Sequence, residues 1–213
     1  MASRPVLVLV GASGHAKVVI DAIEREGHYR IAHLLDDNLG LHGKPFFGYK
    51  VAGATESILA MTGKMKPWVL VSIGDNGARA RIAARLRAKG FKFASAIHPD
   101  ARIGRGAAIG AGTVVMAGAV VNSDARIGEN VIVNTGATID HDCVIEDGAH
   151  IAPGANLCGG VHVGAGSFIG AGTVVIPGVR VGAHTVIGAG STLVDHVSDN
   201  VKAAGSPARI LAA

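Results

Sequence analysis

The sequence predicts two architectures in series: an α/β unit over residues 1–95, then a coil of short parallel strands over residues 96–213. Three observations carry this reading. From Ile97 an aliphatic residue recurs at every sixth position: Ile97, Ile103, Ile109, Val115, Val121, Ile127, Val133, Ile139, Ile145, Ile151, Leu157, Val163, Ile169, Val175, Val181, Ile187 and Leu193, 17 consecutive hits. Three residues after each anchor stands Gly in eleven cases, with Asp100, Asp124, Asn130, Asp142, His184 and His196 at the other six. Before Ile97 the period is absent, and short apolar runs alternate with helical stretches instead.

Each part of the hexad has a physical role. The anchor and a small or β-branched residue four places later (Ala101, Ala107, Thr113, Ala119, Ala125, Val131, Ala137, Cys143 and onward to Val197) supply inward side chains. The position between them carries Gly, Asn, Asp or His, the residues that best tolerate positive φ, so each is expected to be a left-handed corner. A chain that turns after every short strand coils into a prism whose turns hydrogen-bond to one another around an aliphatic ladder. This pattern resembles the hexapeptide repeat of the left-handed parallel β-helix acyltransferases. That resemblance implies three hexads per coil, five to six coils here, and a homotrimer.

Residues 1–95 read β-α-β, a loop, then β-α: PVLVLV at 5–10, a helix from about His15 to Glu26, RIAHLLDD at 30–37, WVLVSIG at 68–74 and a helix from about Ala78 to Lys89. Gly11-Ala12-Ser13-Gly14 joins the first strand to the first helix, where backbone N–H groups and a helix N-terminus can hold phosphate. Asp36 and Asp37 close the second strand, where a Rossmann-like unit places its ribose-binding acid. GxxG is shorter than the full dinucleotide fingerprint, and a plain strand-to-helix turn accounts for it equally well. Gly74-Asp75-Asn76-Gly77 repeats the strand–loop–helix arrangement and strengthens the case for a nucleotide cleft.

Composition excludes several classes. The 213 residues are 49% hydrophobic but only 4% aromatic, with 31 Gly and a mean hydropathy of +0.39. No apolar run approaches the ~20 residues of a membrane span, and PVLVLV is too short for a signal-peptide core. Cys143 and Cys158 form no disulfide framework, so a cytoplasmic protein is expected. Net charge is +4, and Arg79, Arg81, Arg85, Arg87 and Lys89 read as one solvated helix face opposite Ile82 and Leu86, without the aromatic interleaving of a nucleic-acid surface.

Among the ten histidines, His141 has the most informative surroundings. It lies two residues after anchor Ile139, at an exposed corner, with Asp142 beside it and Ser123 and Gly159 at the same corner one coil away. An imidazole with an adjacent carboxylate and open space on the next coil can serve as a general base; a surface corner histidine is the plain alternative. Asn134 and His150 are expected to point outward on the opposite face, reaching His141 only across a subunit boundary. A zinc site built from His141, His150 and His162 is disfavoured by their spacing, and no metal is expected. Nothing basic adjoins Cys158, which argues against an acyl-cysteine.

Taken together, GASGH at 11–15, Asp36-Asp37, IGDN at 73–76, NTGATIDHD at 134–142 and GSPAR at 205–209 resemble the bacterial nucleotide-aminosugar N-acetyltransferases, a group that includes sialic acid O-acetyltransferases. The resemblance covers the whole chain. It implies a nucleotide sugar bound by Gly11, Ser13, Gly14, His15, Asp36, Asp37, Gly74 and Asn76, with Asn134 and His150 also facing substrate. It implies His141 as base with Asp142 orienting it, where some relatives carry His-Glu. It further implies acetyl-CoA in a groove between two β-helices, near Gly159, toward Ala189 and the last coils, with Lys202 or Arg209 near its phosphates.

The expected reaction is acetyl transfer from acetyl-CoA to the 4-amino group of a nucleotide-linked 4-amino-4,6-dideoxy sugar, GDP-perosamine first and a UDP-linked aminosugar second. O-acetylation of a sialic-acid-type sugar and a non-catalytic hexapeptide scaffold are the alternatives.

Overall fold

A computed structural model describes residues 4–60 and 66–211; positions 1–3, 61–65 and 212–213 of the two expected segments lie outside the described residues. β1 (Val6–Val10), α1 (Gly14–Glu26), β2 (Arg30–Leu35), β3 (Pro45–Phe46), β4 (Tyr49–Gly53), β5 (Trp68–Val71) and α2 (Asn76–Ala88) form the α/β unit. Its sheet runs β3-β4-β2-β1-β5. β1 pairs in parallel with both β2 and β5, so the loops that leave β1 and β5 emerge side by side at one sheet edge. Apolar residues on successive positions bury β1 on both faces, as Leu7, Val8, Leu9 and Val10 are fully covered. The segment read as a loop before Trp68 contains the β3–β4 hairpin, whose second strand joins the sheet beside β2.

Seventeen two-residue strands follow, from β6 (Ala96–Ile97) to β22 (Thr192–Leu193), one per expected hexad. They stack as three sheets, with pairs such as Val120↔Thr138 and Ile132↔His150 eighteen residues apart. The result is a left-handed parallel β-helix. Its interior is the predicted ladder: Val121, Val133, Ile139, Ile151, Val163, Ile169 and Ile187 are all fully buried, alternating with Ala119, Ala125, Ala137, Ala149 and Cys143. Each buried Val or Ile contributes about 1.5–3 kcal/mol relative to exposure. Where Thr or Ser takes the small position, its hydroxyl donates to a nearby carbonyl: Thr113 to Gly128 O at 2.7 Å and Ser167 to Gly182 O at 2.6 Å.

Fifteen of the seventeen expected corners have positive φ, including Asp124, Asn130, Asp142 and His184. Asp100 and His196 do not, and both lie at an end of the array. The His98 ring accepts the Asp100 N–H, replacing the corner. At the other end the last coil is two residues short: His184 N–H reaches Ala165 O, nineteen residues back, whereas Asn200 N–H reaches Ala183 O, seventeen back, and Asn200 takes the left-handed position at φ 58°. β23 (Lys202–Gly205) and β24 (Ala208–Ile210) then close the end as a hairpin on the sheet that contains β6.

The two units share a core. Leu7, Leu9, Val19, Ile20 and Ile23 of the α/β unit pack in one cluster with Val114, Met116 and Ile132 of the β-helix.

Candidate active site

His141 occupies the corner that follows Thr138–Ile139, and its side chain is 62% exposed in the single chain. Asp142, next in sequence, is held at φ 58° by the corner, and this turns its carboxylate onto the ring: Oδ2 lies 2.8 Å from His141 Nδ1. Asp142 is therefore both a corner residue and the imidazole's partner, and the shorter acid reaches. With Nδ1–H donating to Asp142, the lone pair of Nε2 is left to accept a proton. That nitrogen overlies Gly159 of the next coil, where a Cβ would stand 2.6 Å from both Nε2 and Cε1. Asp140 accepts the His141 backbone N–H at 2.8 Å and the Asn122 side-chain amide at 2.9 Å, which holds its carboxyl below the usual carboxylate range. The hydrogen bond that His141 donates to Asp142, and then the charge of Asp140, push the His141 pKa up. Among the described residues, the Gly159 N–H has no acceptor, while Gly160 N–H is taken by His141 O.

A second cluster lies between the two units. His15, in the first turn of α1, and His150, in the strand His150–Ile151, face each other with ring centroids 6.4 Å apart. Phe168 meets His150 edge-on at 5.0 Å. His150 Nε2 is 3.1 Å from Asn134 Nδ2, while His150 Nδ1 and His15 Nε2 are buried without a hydrogen-bond partner among the described residues. Burial, and secondarily the charge of Arg79, lower both imidazoles to about 4. Both rings are neutral at neutral pH.

The glycine loops at the sheet edge are tightly tied. Gly11, at φ 109°, packs where a Cβ would meet Ile73 Cγ1 at 2.6 Å, whereas Gly14 faces open space. Ser13 caps α1 by position but makes no side-chain cap bond, so its hydroxyl and the first N–H groups of the helix remain available to an anion.

Comparison with known proteins identifies this arrangement. The family described as PglD N-terminal domain matches residues 6–86, and that described as bacterial transferase hexapeptide (six repeats) matches 124–159, 142–177 and 160–195. The perosamine N-acetyltransferase of Caulobacter crescentus, solved with CoA and GDP-perosamine, is 37% identical, with 97% of each chain covered and a TM-score of 0.92. The acetyltransferase domain of PglB from Neisseria gonorrhoeae, solved with acetyl coenzyme A, is 36% identical over 98% of this chain and 100% of that one, TM-score 0.90. The chain belongs to the bacterial nucleotide-aminosugar N-acetyltransferase family. A curated relative, the UDP-N-acetylbacillosamine N-acetyltransferase of Bacillus subtilis, is 39% identical over 108 residues, 49% of this chain and 48% of its own length.

Within this N-acetyltransferase fold, the residues expected to bind nucleotide divide into two groups. Gly11, Ser13, Gly14 and His15 line one loop, but Asp36 spends both oxygens on backbone, Oδ2 on Ala12 N–H at 2.7 Å and Oδ1 on Asn38 N–H at 2.8 Å. It shapes the loop. Asp37 is exposed, and its Oδ1 accepts the Thr55 N–H at 2.7 Å. Gly74 and Asn76 turn inward: Asn76 Nδ2 donates to Gly166 O at 2.9 Å and Ser167 O at 3.1 Å, and its Oδ1 accepts from Arg79. Asn76 is thus a tie between the units. Asn134 and His150 do leave the β-helix interior, as expected, yet His150 is buried against the α/β unit instead of facing solvent. Gly159 and Ala189 stand at different corners, after the strands Asn156–Leu157 and Val186–Ile187 of different sheets. Lys202 and Arg209 are carried by the terminal hairpin, where Arg209 lines a pocket of about 400 Å³ with Asp195 and His196. Among the described residues no group of three or more His, Cys, Asp or Glu side chains is arranged to hold a metal ion.

The largest departure from the sequence reading is Arg79. Read as part of a solvated face, it is 1% exposed. Arg85 and Arg87 do face outward and pair with Glu56 and Glu129. The signal available in the sequence was position alone, since Arg79 sits one helical turn after Asp75, the α2 N-cap.

Proposed function

We propose that this protein transfers acetyl from acetyl-CoA to the 4-amino group of a nucleotide-linked 4-amino-4,6-dideoxy sugar, GDP-perosamine first and a UDP-linked aminosugar second. The observation that carries this reading is the Asp142–His141–Gly159 column, an oriented imidazole whose free nitrogen faces a corner without a side chain. Likeness to the perosamine enzyme over 97% of both chains supports the GDP-linked acceptor. In this reading residues 1–95 hold the nucleotide sugar and residues 96–213 carry the chemistry. Acetyl-CoA lies between two protomers of a homotrimer, so that Gly159 of one chain and Ala189 of its neighbour flank one groove. Two unpaired cysteines and this donor fit the cytoplasm, and no helix among the described residues is long and apolar enough to cross a membrane.

The chemistry follows from the geometry. An ammonium cannot attack a thioester, so the amine must be neutral; with a pKa of about 8, a minority is already free at neutral pH. As nitrogen bonds to the thioester carbon, His141 Nε2 accepts its proton, and Asp142 stabilises the imidazolium through Nδ1–H. The unpaired Gly159 N–H is available to the oxyanion. Collapse of the tetrahedral intermediate expels the CoA thiolate, which takes up the proton. Thiol release from acetyl-CoA, measured against GDP- and UDP-linked aminosugars and free sialic acid, tests the reading. The nucleotide aminosugars are expected to release thiol; turnover of sialic acid alone makes the protein an O-acetyltransferase, and no turnover with CoA binding absent makes it a scaffold.

A further inference from the structure

Arg79 is a buried cation with no carboxylate partner among the described residues. Its guanidinium uses the whole fork: Nε donates to Asn130 O at 2.9 Å, Nη1 to Ile73 O at 3.0 Å and Gly74 O at 3.1 Å, and Nη2 to Asn76 Oδ1 and Gly148 O, both at 2.8 Å. Ala149 O lies at 3.4 Å from the same nitrogen. These acceptors belong to three places: the second glycine loop, the start of α2, and the two corners that lead into the strands Ile132–Val133 and His150–Ile151. Five N–H donors in one plane are what such a junction needs, and a lysine ammonium cannot span it.

The grip bears on groups that the family resemblance places against the substrate. Gly148 and Ala149 immediately precede His150. Gly74, whose carbonyl Nη1 holds, packs beside His15: a Cβ there would lie 3.9 Å from the His15 Cβ. His150 in turn meets Asn134 at 3.1 Å.

We propose that Arg79 is a positioning residue, which locks the second glycine loop to the corner before His150 and thereby sets the orientation of His150, Asn134 and His15 toward the bound substrates. This rests on the acetyl-transfer reading for its consequence in turnover, and on geometry alone for its consequence in the resting protein. The charge has a second effect. Arg79 on α2 acts on both His15 and His150, His15 acts on His150, and Asp75, at the α2 N-cap, acts on Arg79 itself. Arg79 keeps its proton at neutral pH, burial lowering it only to about 10. Its field therefore helps to hold both imidazoles uncharged, as hydrogen-bonding groups and not as cations.

Two variants of the full chain test this. Arg79→Lys keeps the charge and loses the fork: kcat/KM is expected to fall at least about tenfold, while His15 and His150 still resist protonation in a histidine-resolved NMR titration. Asn76→Asp keeps an acceptor for Nη2, gives up the two bonds that Nδ2 donates to Gly166 O and Ser167 O, and sets a carboxylate beside the guanidinium; in the folded variant both rings are expected to protonate about one pH unit higher than in the wild type. Wild-type kcat/KM in a folded Arg79→Lys protein, or unchanged titration in Asn76→Asp, overturns the proposal. Should Arg79→Lys not fold, Asn76→Asp decides. The titration needs no substrate, so a wild-type protein that transfers no acetyl group sinks the proposed function and still leaves the role of Arg79 to be read.

Discussion

The His141 imidazole lies over Gly159, one coil away, in the space that any side chain at Gly159 would fill; a Cβ there would be 2.6 Å from Nε2. Gly159 is not in the left-handed region, unlike Gly160 at φ 67°. Its lack of a side chain is therefore a matter of room.

Gly159→Ala separates these effects. The backbone accepts alanine without strain, so the melting temperature is expected to stay within a few degrees of the wild type. The methyl displaces the ring and narrows the proposed acetyl-CoA groove, and kcat should fall more than about tenfold. Gly160→Ala should do the reverse, costing about 1 kcal/mol in stability through positive φ, with kcat nearly retained. Paired thermal melts and steady-state kinetics on the two variants check the contrast.

His141→Asn removes the proposed proton acceptor and leaves the α/β unit untouched. General-base catalysis is typically worth 10²–10⁴-fold, and an amine that arrives neutral needs less. Turnover is expected to drop well over tenfold, with nucleotide-sugar affinity nearly unchanged by calorimetry. Full activity would remove His141 from the mechanism.

The pH profile follows from the Asp142 contact. A general base works only when deprotonated, so kcat/KM falls as pH drops through the His141 pKa. Asp142 and Asp140 raise that pKa, and the acid limb is expected above the ordinary histidine value of about 6.5. Asp142→Asn withdraws the largest cause and should move the limb to lower pH while reducing the plateau rate. A limb that does not move in this variant would sever the link between the two residues.

His15 and His150 shape stability in acid. Their folded pKa values, about 4, lie below the unfolded value near 6.5. The unfolded chain binds the extra protons, so stability is complete above pH 6.5 and is lost as pH falls toward 4. Between pH 7 and pH 5 the loss is about 2 kcal/mol per ring. Urea unfolding at those two pH values should show it, and His150→Gln should reduce the difference.

Most of the β-helix was legible because a stacked coil is nearly one-dimensional. Once the period and three strands per coil are known, residues eighteen apart are neighbours, and Ser123, His141 and Gly159 fall into one column by counting. The same regularity explains where the reading failed: Asp100 and His196 stand at the two ends, where a coil has no neighbour on one side to impose the corner. The β3–β4 hairpin escaped notice because Pro45–Phe46 is too short to show alternation.

The amino-acid order by itself determined the prism, its apolar ladder, its corners, and the pairing of His141 with an acid and an empty corner, since each depends on local φ preferences and a fixed repeat. Only the tertiary structure decided how the α/β unit seats on that prism. The docking bonds join residues as far apart as Asn76 and Ser167 or Arg79 and Asn130, and no periodicity connects such pairs. A cationic residue on a helix is ordinarily solvated; Arg79 is buried because backbone carbonyls of two folding units, with the Asn76 side-chain oxygen, converge to satisfy its five N–H groups, and that convergence exists only after the units have met.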